Sequence, residues 1–300
     1  MKPMDIVSLV VLSAIWGSSF IFMRILSPVL GPVATAAARL TIAGLFIVAF
    51  LTITRFRLAW RKHWRLYLFA GIVNSAVPFL LYAFAALFIP ASLSVVLNST
   101  APMFGAIFAA AWLGDRLTAR KIAGLVIGIA GVSLVTGFEA VGQASTAVPA
   151  ILACLLAASC YGFAGVFIRR KAAPVKPGAM AGASQLLAGL GLLPLIALSP
   201  PREPITPATV LYTAALALVC TGAAYLIYYR LLANVGPTRA LTVTFLMPAF
   251  GMLWGAIFLH ERITGAMAAG ALITLLGTYL VAVSPRRRTE KRRAGVADGR

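Results

Sequence analysis

The sequence predicts an all-α membrane protein with ten transmembrane helices, arranged as two inverted repeats of five helices. Three observations support this fold class: the apolar content of the chain, the positions of its basic residues, and an internal repeat. Of the 300 residues, 61% are hydrophobic and 11% are charged, whereas a soluble domain has about 25% charged residues. Apolar runs of about 20 residues, the length that crosses a bilayer as a helix, recur along the whole chain.

The apolar runs set the predicted spans. Because lipid offers no hydrogen bonds to the backbone, each span is expected to be a helix. The connections between spans are short and rich in Gly, Pro or charge, and Thr118 and Thr264 are predicted to cap the fifth and tenth helices. The predicted spans are residues 5–27, 31–54, 66–88, 91–113, 120–138, 148–169, 178–199, 208–231, 238–259 and 265–283.

The basic residues set the orientation. The chain carries 26 Lys and Arg against seven Asp and Glu, a net charge of +19. With the N-terminus in the cytoplasm, all of the basic residues except Arg24, Arg39, Arg202 and Arg262 fall on the cytoplasmic side, as the positive-inside rule requires. This distribution explains the excess of positive charge without nucleic acid, and it predicts contacts with anionic lipid headgroups at the cytoplasmic loops and the tail.

The internal repeat is the third observation. The segment PMFGAIFAAAWLGDRLT, from Pro102, matches PAFGMLWGAIFLHERIT, from Pro248, at an offset of 146 residues, so that Asp115 corresponds to Glu261. Each copy holds five spans. Because five is odd, the second copy must enter the membrane from the opposite side.

The first and sixth spans extend this repeat, because SAIWGSSFIFMR resembles ASCYGFAGVFIRR, with Trp16 opposite Tyr161. We therefore predict a first repeat at 1–140, an inverted second repeat at 145–285, and a basic, disordered cytoplasmic tail at 286–300. Inverted repeats recur in secondary carriers, whose substrate site lies near mid-membrane. A gene duplication retained only for folding is the alternative.

The ten spans, the N-terminal WGSSF, the segments ending in LGDRLT and LHERIT, and the glycine ladder GLVIGIAGV resemble the EamA branch of the drug/metabolite transporter superfamily. The closest resemblance is to YddG-like bacterial amino-acid exporters. The resemblance covers residues 5–283. It implies a multi-pass exporter in the bacterial inner membrane, with a central cavity lined by spans 1, 3, 4, 6, 8 and 9.

Prolines mark candidate substrate contacts. A proline within a helix leaves the carbonyl four residues earlier without its hydrogen bond, and in lipid such a group must face a cavity or another helix. Hydrogen bonding between helices is the alternative to substrate binding. The polar residues and their prolines are Asn74 with Pro78, Asn98 with Pro102, and Thr244 with Pro248.

Mid-span aromatic residues form a second candidate set. Trp and Tyr are expected at the membrane interfaces, and in mid-span their polar atoms need partners or water. We interpret them as the lining of a pocket for amino acids with apolar or aromatic side chains, with ordinary core packing as the alternative. The set is Trp16, Phe20, Tyr82, Tyr161, Phe163, Tyr225 and Tyr228.

Arg39 is the exceptional charge, because it lies about two turns into the second span. Buried arginines in membranes mark functional sites. Arg39 could bind a substrate carboxylate, act at a gate, extend outward along the helix, or pair with an acid; the candidate acids are Glu139, Glu203 and Glu261.

The remaining chemistry is sparse. Every acidic residue lies at a span end, in a loop or in the tail, so no mid-membrane carboxylate indicates proton coupling. No phosphate loop is present, which favours facilitated export or exchange of a small-molecule substrate. We expect no enzymatic activity, cofactor or metal. A drug or other metabolite exporter is the alternative, and a membrane-embedded enzyme is a remote one. The glycines of spans five and ten predict close helix packing, with a homodimer face as a second interpretation.

Overall fold

The computed structural model of this chain describes residues 2–56, 58–171, 175–240 and 242–283, without the side chains of 138–145 and 237–238. Throughout these residues the regular structure is helical. The predicted disordered tail lies outside the described residues. Eight helical segments are long and apolar enough to cross a membrane, and Val243–Leu259 is a shorter apolar helix.

The first of these segments, Pro3–Ile53, contains two spans. At Gly31 the backbone leaves helical geometry, with φ 77° and ψ 159°, a conformation that favours glycine. A straight helix would separate residues 23 and 39 by about 24 Å, yet the Arg39 guanidinium lies 3.5 Å from the Met23 sulfur. The chain therefore reverses at Gly31, and we name its two arms α1 (3–30) and α2 (32–53).

The other spans follow in order. The third span begins at Trp60, six residues before its predicted start at residue 66, because the amphipathic stretch WRKHWR continues the helix beyond its apolar part. The bounds are α3 Trp60–Ala85, α4 Ala91–Leu113, α5 Ala119–Gly137, α6 Thr146–Lys171, α7 Pro177–Leu198, α8 Pro207–Val235, α9 Val243–Leu259 and α10 Gly265–Ala282. The predicted ten-helix fold is confirmed.

Helices α5 and α6 belong to one helical run, Ala119–Lys171. If straight, this run would be about 80 Å long. However, Arg169 near its end pairs with Asp115, four residues before its start, at 3.1 Å. The run therefore also turns back, and α6 lies antiparallel to α5.

The pseudo-two-fold axis is visible where helices cross. Gly17 of α1 packs against Gly251 of α9, and Gly162 of α6 packs against Gly105 of α4. These are the same contact in the two repeats, since Gly17 corresponds to Gly162 and Gly105 corresponds to Gly251. A Cβ atom on Gly17 would lie 2.9 Å from the Gly251 nitrogen, so the helices can approach this closely only without a side chain.

The connections gather at two ends. The N-terminus and the turns after α2, α4, α6 and α8 form one end, which we call the basic end because it holds most of the Lys and Arg. The turns after α1, α3, α5, α7 and α9 form the opposite end. Contacts within each end agree with this assignment: Asn234 donates to Asp5 at the basic end, and the Arg202 backbone donates to the Val29 carbonyl at the opposite end.

Candidate functional site

Aromatic side chains from both repeats meet between α1, α3 and α6, in a core that the repeats share. The Tyr82 ring lies 5.3 Å from the Phe20 ring and 6.2 Å from the Tyr161 ring, measured between centroids. The Tyr82 hydroxyl donates to the Asn98 side-chain oxygen at 2.9 Å. We call Phe20, Tyr82, Tyr161 and Asn98 the Tyr82 layer.

A second aromatic layer lies between α1 and α8. The Trp16 ring is 5.9 Å from the Tyr225 ring and 5.3 Å from the Tyr228 ring. Tyr228 follows Tyr82 by 146 residues, the offset of the repeat, and Trp16 is the counterpart of Tyr161. The contact between Trp16 and Tyr228 is therefore the repeat counterpart of the contact between Tyr161 and Tyr82. We call Trp16, Tyr225 and Tyr228 the Trp16 layer.

The helices beside the Tyr82 layer are irregular. In α3 the turn Ile72–Ala76, which contains the half-buried Asn74, is a π-helix that leads into the buried Pro78. In α4 the first helical half ends at Asn98, and the second half begins at Ala101, next to Pro102. A proline lies next to each departure and removes a backbone donor from the helical ladder there.

Arg39 is buried, with 4% of its surface exposed. Its Nε donates to the Thr221 hydroxyl at 2.9 Å, and its guanidinium carbon lies 3.8 Å from the centre of the Phe79 ring. Thr221 lies four residues before Tyr225 of the Trp16 layer, and Phe79 lies three residues before Tyr82. Arg39 thus lies beside both layers.

The acids proposed as partners of Arg39 lie elsewhere, as far as they are described. Glu261 binds backbone groups at the start of α4, and Glu203 is exposed in the turn before α8. The side chain of Glu139 lies outside the described residues. Among the residues that the structure describes, the one ion pair is that between Arg169 and Asp115. Arg39 therefore has no carboxylate partner among the residues that the structure describes.

Phe163, a predicted site residue, belongs to a different aromatic cluster. Phe163 stacks on Trp112 at 5.4 Å and packs against Phe108, near the basic end of α4. The reason is helical geometry, since two residues turn the side chain about 200° away from Tyr161. Thr244 is half-buried in α9, which continues unbroken through Pro248.

The immediate neighbours of Arg39 were absent from the predicted site. They are Thr221, Met23 and Phe79. A signal for Thr221 exists, because it is the hydroxyl residue in the middle of the apolar eighth span. The sequence contains no signal for the choice of Phe79 among many apolar neighbours.

The two inverted halves share an aromatic core and a buried cation. The sequence profile of the EamA-like transporter family matches residues 4–137 and again residues 148–283. The chain therefore belongs to the EamA-like transporter family and is a multi-pass membrane transporter.

Relatives match over nearly their full length. The uncharacterized transporter YvbV of Bacillus subtilis is 24% identical over 89% of this chain and 87% of its own. The uncharacterized inner membrane transporter YedA of Escherichia coli is 26% identical over 93% of this chain and 92% of its own. A crystal structure at 20% identity, covering 93% of this chain and 96% of that chain, superposes with a TM-score of 0.67, which shows the fold alone.

Proposed function

We propose that this transporter exports amino acids, above all those with neutral apolar or aromatic side chains, and related small carboxylates across the bacterial inner membrane. The proposed route is alternating access, in which the repeats 1–140 and 145–285 rock around a central site. The observation that carries the proposal is the buried Arg39 without a carboxylate partner among the described residues.

A buried guanidinium is costly unless an anion accompanies it. Thr221 and the Met23 sulfur satisfy only part of its five N–H donors. A carboxylate matches the planar fork of arginine and can accept two hydrogen bonds from it. A substrate carboxylate would therefore supply the missing negative charge during the transport cycle.

The two aromatic layers supply the rest of the proposed site. Arg39 contacts Thr221 and Phe79, which lie one turn from Tyr225 and Tyr82, so a substrate bound there would contact aromatic surface from both repeats. The Asn98 side-chain oxygen and the carbonyls near Pro78 and Pro102 are acceptors for a substrate ammonium group. Apolar and aromatic side chains would pack against the rings of Phe20 and Trp16.

The proposed energy source is the substrate gradient or exchange, because the predicted spans lack a mid-membrane acid. The proposed orientation places both termini in the cytoplasm, according to the positive-inside rule. Counterflow in proteoliposomes that persists after collapse of the proton gradient would support this mode.

The experiment is counterflow of labelled L-leucine, L-phenylalanine, L-tryptophan and L-threonine by purified protein, repeated with Arg39→Gln and Arg39→Lys. Loss of one partner of a buried charge pair costs about 2–5 kcal/mol, so we expect the half-saturating concentration to rise about 30-fold or more in Arg39→Gln. Arg39→Lys should restore only part of the lost affinity, because an ammonium group cannot form the bidentate pair with a carboxylate.

The control is Arg61→Gln, which removes an exposed arginine near the start of α3 and should leave flux unchanged. Equal flux in wild type and Arg39→Gln would contradict the assignment of Arg39. Flux of an uncharged drug that is independent of Arg39, with no amino-acid counterflow, would favour the alternative of a drug exporter.

A further inference from the structure

Two charged residues from distant parts of the chain hold the turn between α3 and α4 at the opposite end. Arg24 of α1 donates to the carbonyl of Ala86, at the last turn of α3. The Glu261 carboxylate, after α9, accepts hydrogen bonds from the Ala91 nitrogen at 2.7 Å and the Ser92 nitrogen at 3.0 Å. The Ser92 hydroxyl also donates to this carboxylate. We call Arg24 and Glu261 the opposite-end clamp.

The signs of the clamp fit the helices that it holds. A cation is stabilised at the carbonyl end of a helix and an anion at its N–H end, and Arg24 and Glu261 satisfy both rules for one turn. The Glu261 carboxylate also packs tightly against α9, because a Cβ atom on Gly255 would lie 2.6 Å from the Glu261 carboxylate oxygen. The clamp thus ties α3 and α4 to α1 and α9. A pocket of about 430 Å³ lies beside it, lined by Arg24, Pro28, Leu87, Pro90, Leu259 and Glu261.

The repeat supplies a second set of the same residues at the basic end. With the offset that relates Trp16 to Tyr161, Arg24 corresponds to Arg169; with the offset that relates the two proline segments, Glu261 corresponds to Asp115. In the structure Arg169 and Asp115 bind each other, at 3.1 Å, with side chains 62% and 33% exposed. At the opposite end, Arg24 and Glu261 each hold a helix terminus. At the basic end, their counterparts Arg169 and Asp115 are paired with each other.

The packing of α4 shows the same asymmetry. Its first half, Ala91–Asn98, packs against α9, next to the clamp. Both halves pack against the run Ala119–Lys171, and the second half, Ala101–Leu113, also packs against α10. The contact between α4 and α9 therefore lies at the opposite end, and we interpret this end as the closed one.

We propose that the two sets of charges alternate during transport. In the state described here, Arg24 and Glu261 close the opposite end, and Arg169 and Asp115 neutralise each other. In the other state, Arg24 and Glu261 pair with each other, and Arg169 holds the carbonyl end of α8. Asp115 then accepts from the Thr238 nitrogen, the repeat counterpart of the Ser92 nitrogen, because Pro237, the counterpart of Ala91, has no N–H. This inference rests on the proposed alternating access and names its gates.

The first test measures opening of the opposite end and needs no substrate. Ala85→Cys, at a fully buried position in the last turn of α3, is introduced with Cys154, Cys160 and Cys220 replaced by Ala. Labelling by a maleimide is then timed in detergent, where both ends are accessible. We expect Glu261→Gln to raise the labelling rate about tenfold, the effect of losing a capping group of about 1–2 kcal/mol.

The decisive variant adds Asp115→Asn to Glu261→Gln. If the clamps alternate, removal of the competing clamp at the basic end restores the balance, and the double variant labels close to the wild-type rate. If Glu261 is only a local helix cap, the double variant labels as fast as Glu261→Gln, and the proposal is overturned. Asp115→Asn alone should not raise the rate.

A second measurement retains the natural cysteines, in case the cysteine-free protein is unstable. Hydrogen exchange is compared between wild type and Glu261→Gln. We expect faster exchange at residues 86–92 and slower exchange at residues 229–236, the last turns of α8. Faster exchange at 86–92 with no change at 229–236 would overturn the alternation. Neither test requires a known substrate, so the gates and the proposed amino-acid specificity can fail separately.

Discussion

The two aromatic layers come from equivalent positions of the sequence repeat, but their side chains pack differently. Tyr82 is 1% exposed and hydrogen-bonded to Asn98, where α4 is broken. Its counterpart Tyr228 is half-buried beside Trp16. The second copy is divided at an earlier point, between Pro237–Ala240 and Val243–Leu259, so its later helix contains Pro248 in its interior. Two copies of one pattern thus adopt two conformations. The proposed alternating access would use this difference, with each copy adopting in turn the conformation of the other.

The crossings at Gly17 and Gly162 are, by contrast, the same in both halves. They mark the parts of the repeats that keep one geometry, whereas the layers and the ends differ. The following predictions test this contrast between symmetric crossings and asymmetric layers, starting with the largest effect.

Replacement of either crossing glycine should be the most damaging change. A Cβ atom on Gly162 would lie 2.8 Å from the Phe104 Cβ and 2.9 Å from the Ala101 carbonyl oxygen. Because backbone atoms form much of this contact, side-chain rearrangement cannot relieve it. We expect Gly162→Val to destabilise the protein by about 3 kcal/mol or more, seen as a lower midpoint of thermal unfolding in detergent. Gly17→Val should have a comparable effect.

The matched control is Gly165→Val, on the same helix, because a Cβ atom at Gly165 has no heavy atom within 4 Å. It carries the same change in helix propensity and should unfold near the wild-type temperature. Equal losses in Gly162→Val and Gly165→Val would mean that propensity, and not the crossing, sets the effect.

Removal of the Tyr82 hydroxyl should have an intermediate effect. Tyr82→Phe leaves the oxygen of the half-buried Asn98 without its donor. An unsatisfied buried acceptor costs about 1–3 kcal/mol, and we expect the lower end of this range. Tyr228→Phe, the repeat counterpart, changes a half-buried residue and should cost less than half as much. Chemical unfolding in detergent by both variants measures the difference. A larger loss for Tyr228→Phe would reverse our ranking of the two layers.

The fold was predictable because its signals are repeated many times. Apolar length, the position of basic residues and the 146-residue offset all concern tens of residues, so errors of a few residues at a helix end, as at Trp60, do not change the result. The inversion followed from the odd number of spans.

The site was less predictable because it depends on single contacts. The predicted third span correctly placed Asn74, Pro78 and Tyr82 on one helix, but the partner of Tyr82 proved to be Asn98, on the next helix. Phe163 differs from Tyr161 by only two positions, which is enough to reach another cluster. Arg39 was recognisable as exceptional, yet its neighbours depend on how α2 packs against α3 and α8, which a single sequence does not encode as a pattern.

The smallest predicted effect concerns the caps of the outer helices. The Thr264 hydroxyl accepts from the Met267 nitrogen at 3.1 Å, at the start of α10. Its counterpart Thr118 accepts from the Lys121 nitrogen at 3.4 Å, in an exposed position before α5. We expect Thr264→Ala to cost about 1 kcal/mol and Thr118→Ala to cost less, because its bond is longer and water can replace it. The midpoints of thermal unfolding of the two variants show which substitution costs more stability. Equal losses would show that the asymmetry of the gates and layers does not extend to the outer helices, which would then belong, like the glycine crossings, to the symmetric part of the molecule.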